Sequence, residues 1–131
     1  MPTNLTIGLA QYLNDCDPAV IVSDAKRKGA DIVVFPEMFS NGHSNFDATD
    51  IHAQKRWQRA AERIDGSYVE KFRQAARDHD IHVLATLLEA ADPKPFNSAL
   101  LINPRGETVS SPPQGPHLRF RHTRSCLRTR P

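Results

Sequence analysis

The sequence predicts an α/β fold, with strands linked through helices, and three stretches carry that prediction. The first is Gly29-Ala30-Asp31-Ile32-Val33-Val34-Phe35-Pro36-Glu37-Met38-Phe39. Residues 32–35 form an unbroken apolar run behind a helix-stopping glycine and end on a proline, the pattern of a fully buried strand. The second is Leu5, Ile7 and Leu9, which alternate with smaller or polar residues as a strand does. The third lies between them: Asp17-Pro18 offers a carboxylate cap and a proline at the first helical position. Lys26-Arg27-Lys28 then sets positive charge against the negative end of the helix dipole, and Gly29 stops the helix. That role accounts for the charge run without a nucleic-acid partner.

A strand–helix–strand unit of this kind delivers Glu37 to the carboxyl edge of the second strand, where α/β folds commonly place their chemistry. A carboxylate there is expected to be partly desolvated and held on a rigid element, which suits a general base. A solvated loop acid is the competing reading. Residues 40–50, with the turn Asn41-Gly42, read as a loop over the sheet edge, in which Phe39 and His43 are candidates to line a pocket beside Glu37. A tucked-under hydrophobe and a solvated histidine are the plainer alternatives.

Farther along, Trp57, Ala60, Ala61 and Ile64 recur at i, i+3, i+4 and i+7 and predict one apolar face of a helix, broken by Asp65-Gly66. Ser67 with Glu70 three residues later predicts a capping box for the next helix, whose buried face is Tyr68, Phe72, Ala75 and Ala76. Ile81, Val83 and Ala85, continued by Thr86-Leu87-Leu88, predict a strand; residues 97–102 predict another, after a crossing marked by Pro93 and Pro95. Asn103-Pro104-Arg105-Gly106 is a turn. His79 and His82 have no acid or cysteine at ligand spacing, so no metal site is expected.

Charge divides the chain. Residues 1–109 hold 12 Lys and Arg against 15 Asp and Glu, a net −3, whereas residues 110–131 hold five arginines, no lysine and no acid. With four prolines and no periodicity, residues 110–131 receive no predicted secondary structure. Three readings of this tail stand side by side: a basic arm for phosphates, a metal site from His117, His122 and Cys126 that lacks a fourth ligand, or an out-of-frame translation. Codons for residues 114–121 exist that, read one base over, spell Lys-Val-His-Thr-Cys-Asp-Phe-Asp. No apolar run reaches membrane-spanning length. The N-terminus has no signal-peptide pattern, and two distant cysteines suggest no disulfide framework, so a cytoplasmic setting is expected.

Three blocks, in order, resemble the carbon–nitrogen hydrolase (nitrilase) superfamily. They are Ile7-Gly8-Leu9-Ala10-Gln11, then Gly29-Ala30-Asp31 with its strand and Pro36-Glu37-Met38-Phe39, then Asn97-Ser98-Ala99-Leu100-Leu101-Ile102-Asn103-Pro104-Arg105-Gly106-Glu107. The resemblance implies the N-terminal part of a four-layer α-β-β-α sandwich, incomplete in this chain, over residues 1–109, with 110–131 as an irregular tail. It also implies a Glu-Lys-Cys mechanism acting on a small amide, carbamoyl amine or nitrile, without metal or organic cofactor. Glu37 matches the general base. A Lys-x-His element is expected just after the turn at 103–106, where only the shifted frame supplies one. Neither Cys16 nor Cys126 stands in the family's nucleophile context; Cys16 is read as structural and Cys126 as incidental. With one group of three, the chain is expected to be inactive alone. A sheet lacking its facing sheet is expected to be poorly soluble or to pair as a homo-oligomer. The alternative is a non-catalytic α/β fragment that regulates a full-length homologue or binds polyanions through the tail. The body's negative charge argues against nucleic acid.

Overall fold

A computed structural model describes residues 4–12, 15–41 and 49–109, together with the backbone of 118–120. His43 and the proposed tail ligands His117, His122 and Cys126 lie outside the described residues. The elements run β1 (Ile7–Leu9), α1 (Pro18–Arg27), β2 (Ile32–Val34), α2 (Ile51–Arg59), α3 (Ser67–His79), β3 (His82–Glu89), β4 (Phe96–Ile102) and β5 (Leu118–Phe120). One sheet joins the strands in the order β1-β2-β3-β4-β5. β1, β2 and β3 are parallel neighbours, and β4 returns antiparallel to β3 with Ala85 opposite Leu100.

Helix α1 forms as its ends predict. Asp17 accepts a hydrogen bond from the Ala19 amide at 3.0 Å, and Gly29 takes φ +89° immediately beyond the helix. The basic run is used up locally: Arg27 and Lys28 pair with Asp24, while Lys26 donates to the Asp80 carbonyl at the end of α3. Asp24 is held below the usual carboxylate range, first by its hydrogen bond from Lys28.

Helices α1 and α3 cover one face of the sheet. Val33, Val83, Ala85, Leu87, Leu100 and Ile102 point into that layer and meet Val22, Val69, Phe72, Ala75 and Ala76. Phe72 is the hub, with its ring centroid 4.8 Å from Phe35, 5.0 Å from Tyr68 and 6.3 Å from Phe39, all in edge-to-face geometry. The other face is less covered. Ile7 and Leu9 of β1 remain exposed, and Ile32, Val34, Leu84 and Leu101 are half-buried. The run at 32–35 is therefore buried on one side rather than on both.

Three further expectations are corrected. Helix α2 ends at Arg59, short of Ala61 and Ile64, because the chain turns there to pair with the sheet: the Glu62 amide donates to Leu88 O and the Ala90 amide to Glu62 O, both at 2.8 Å. Ala60 is left exposed at the helix end. The cap of α3 is Gly66, with no side-chain hydrogen bond, so Ser67 is the first helical residue and the capping box does not form; Glu70 pairs instead with Arg77 at 2.6 Å. Finally, residues 118–120 form β5, antiparallel to β4, where no structure was expected. The free edge of β4 offers main-chain partners that a local reading of the tail does not contain.

Candidate active site

Glu37 sits in the turn that follows β2, at the carboxyl edge of the sheet. Its neighbours fix this turn from both sides. Phe35 and Phe39, each 3 % exposed, are clamped in the aromatic cluster. Met38 is 2 % exposed and packs with Trp57 and Leu88, and it adopts φ +59°, a left-handed conformation that costs a side-chain-bearing residue energy. Polar contacts complete the hold. The Thr86 hydroxyl donates to Pro36 O and accepts from the Phe39 amide, and the Ser40 hydroxyl accepts from the Leu88 amide at 2.8 Å.

The carboxylate itself is met by Asn97, whose side-chain Nδ2 donates to Glu37 Oε1. Asn97 is 2 % exposed and lies opposite Leu88 in the β3–β4 register, on the sheet face turned away from α1 and α3. The next residue, Ser98, faces the other way and donates to the buried Glu89 at 2.8 Å. Two consecutive residues of β4 thus each hold one carboxylate, on opposite faces of the sheet. Sequence reasoning missed Asn97, Thr86, Ser98 and Glu89 as site or supporting residues. A polar pair at the head of an otherwise apolar strand, Asn97-Ser98 before Ala99-Leu100-Leu101-Ile102, is the signal that was available.

Glu37 is exposed as a residue, while its hydrogen bond with the buried Asn97 is partly shielded from water. The neighbouring turn residues are buried from two sides, Phe35 and Phe39 against Phe72 and Met38 against Trp57 and Leu88. Phe39 is core, and the cavity of about 450 Å³ that it borders is lined by Asp15, Cys16, Asp17, Ser40, Tyr68 and Lys71 rather than by Glu37. Cys16 is half-buried with a free thiol 3.8 Å from Asp15 Oδ1. It lies on the helix side, apart from the face that carries Asn97. Among the described residues no cluster of three His, Cys, Asp or Glu could hold a metal ion. No helix among them is long and apolar enough to cross a membrane.

The parallel β-α-β unit and its mixed, helix-covered sheet define an α/β protein with a glutamate at the carboxyl edge of its parallel strands. The family is shown by comparison. Residues 11–123 match the carbon–nitrogen hydrolase family, and the chain belongs to it. A curated nitrilase from Pyrococcus abyssi is 28 % identical over 86 residues, which are 66 % of this chain and 31 % of that protein. Among solved structures, an N-terminal amidase in complex with an Asn-Glu-Ala peptide aligns with TM-score 0.64 at 20 % identity, over 91 % of this chain and 29 % of that one. A carbon–nitrogen hydrolase from Helicobacter pylori G27 aligns with TM-score 0.62 at 15 % identity, over 90 % and 40 %. The chain therefore has the nitrilase fold in part, and spans about a third of the length of the curated relative it matches.

Proposed function

We propose that this chain carries the general base of a carbon–nitrogen hydrolase site that cleaves a small amide, carbamoyl amine or nitrile, and that Glu37 is that base. The observation supporting this most directly is the Glu37 carboxylate at the carboxyl edge of β2, hydrogen-bonded by a buried amide on the sheet face turned away from α1 and α3. In the reaction a cysteine thiolate attacks the carbonyl or nitrile carbon. Glu37 accepts the thiol proton and afterwards draws a proton from water, and a lysine ammonium stabilises the negative charge developing on the substrate. No residue of 1–109 stands in the sequence context of this lysine or this cysteine, so the reading takes both from outside residues 1–109 and expects the chain alone to be inactive. The cytoplasm, where thiols stay reduced, suits such a nucleophile.

The test starts with the coding DNA from codon 100 onward. The proposal expects a one-base shift to restore Lys-x-His near residues 114–116, followed by a cysteine in acid–arginine context. The repaired chain should then hydrolyse simple amides, and Glu37→Gln should lower its rate by about 10²–10⁴, the usual contribution of a positioned base. Closed reading frames, or equal rates with and without Glu37, would overturn it.

One observation favours a second reading, in which the chain works by association. Residues 4–12 contain no charge; Ile7 and Leu9 of the edge strand β1 are 52 % and 68 % exposed, and Leu5 just before it is 66 % exposed. In this reading a second copy covers them, since an uncharged, self-complementary edge does not repel its own kind. Sedimentation showing a monomer that stays soluble at high concentration would eliminate it.

A further inference from the structure

We propose that Asn97 is the positioning residue of Glu37: it selects one rotamer of the carboxylate and keeps it ionised. The role of Glu37 as a base rests on the reading above, but the linkage between the two side chains does not. Thr86 and Ser40 fix the turn through its main chain. Asn97 reaches past the turn, across 60 residues of sequence, to the carboxylate itself.

The chemistry favours an amide in this position. An ionised carboxylate accepts hydrogen bonds and donates none, so the amide must present Nδ2 to it and keep Oδ1 turned away. β4 holds the Asn97 backbone in register with Leu88, and its residue is 2 % exposed, so the donor is set by the sheet. An exposed glutamate otherwise moves among many rotamers; a bond from a fixed donor restricts it. The donor is also neutral. A lysine or arginine in its place would hold the carboxylate more tightly and make it a poorer base, whereas an amide orients Glu37 at a smaller cost in basicity.

The test reads titration rather than turnover, so failure of the hydrolase reading leaves it standing. In the full chain, labelled for NMR, the Asn97 side-chain amide signals should shift with pH at the same midpoint as the Glu37 carboxyl carbon. That pH dependence should vanish in Glu37→Gln. Asn97→Leu removes the donor and should raise the Glu37 midpoint by roughly half a unit, about a threefold gain in proton affinity. Asn97→Asp, close to isosteric, should raise it further, and added salt should reduce that extra rise. A purely structural Asn97 would lower the melting temperature and leave the Glu37 titration where it was. Asn97 amide signals that stay flat through the Glu37 midpoint in the unmodified chain would overturn the proposal, whether or not the Asn97 variants fold.

Discussion

Replacing Phe72 by alanine tests how the core reaches the site. Phe72 is fully buried and touches three other rings, two of which, Phe35 and Phe39, bracket Pro36 and Glu37. Phe→Ala in a packed core costs about 3–5 kcal/mol, the transfer term and the cavity term together, and the aromatic contacts are already inside that figure. With a urea slope of roughly 1–3 kcal/mol per molar for a domain of this size, the unfolding midpoint should fall by about 2 M. The buried Trp57 provides the fluorescence signal. A local effect should accompany the global one. The vacated volume lies beneath Phe39, whose amide donates to Thr86 Oγ1 at 3.3 Å, so exchange at that amide should speed up under native conditions more than at Val83 in the strand interior. Phe72→Leu, which leaves a smaller cavity, should fall between. A loss under about 1 kcal/mol for Phe72→Ala would show that the four rings are not one packed unit. An unchanged ratio of Phe39 to Val83 exchange would refute the link from core to Glu37.

Two further outcomes follow from single contacts. Burial, reinforced by the charge of Glu62, pushes the Tyr68 hydroxyl well above the ordinary tyrosine range. The folded chain thus keeps a proton that the unfolded chain loses near pH 10, so this contribution is fully present below about pH 10 and declines as pH rises beyond it. Tyr68→Phe should flatten that alkaline decline in urea melts and, by removing the 2.8 Å bond to Thr86 O, cost about 1 kcal/mol at neutral pH. Gly106 adopts φ +79° with its carbonyl 3.0 Å from Arg73 Nη1, and a Cβ there would overlap Arg77 Nη1 and stand 2.9 Å from Arg77 Cγ. Gly106→Ala should therefore cost roughly 1–3 kcal/mol in backbone strain and push Arg77 off Glu70; a change within 0.5 kcal/mol, roughly the surface-substitution range, would show that the turn does not dock on α3.

What the sequence disclosed was what short-range chemistry decides. Both ends of α1 were legible because Asp17, Pro18 and Gly29 act within one turn of the helix they bound. The position of Glu37 was legible because a strand must end at Pro36. Elsewhere the deciding contact came from far away. The apolar period through Trp57, Ala60, Ala61 and Ile64 is real, but main-chain pairing of Glu62 with the end of β3 ends the helix first. β5 depends on the edge of β4, which no pattern within residues 118–120 announces. The partner of Glu37 was hidden for the same reason: Asn97 reads as the first polar residue of a strand until the register sets it beside the turn after β2.

The two faces of the sheet tie stability to chemistry. On the helix side the core is closed, with Val83, Ala85, Leu87, Leu100 and Ile102 all at zero exposure. On the other side Leu5, Ile7 and Leu9 keep half to two-thirds of their surface in water. Full burial of such a side chain is worth about 1.5–3 kcal/mol, so covering these three would contribute about 3–5 kcal/mol, comparable to the whole stability of a marginal domain. Glu37 meets Asn97 at the carboxyl edge of that same face. A layer that covered the face out to this edge would also remove water from the carboxylate, which would disfavour its charged form and make it a stronger base. In the proposed site, the layer that completed the sandwich would in this sense also tune the base.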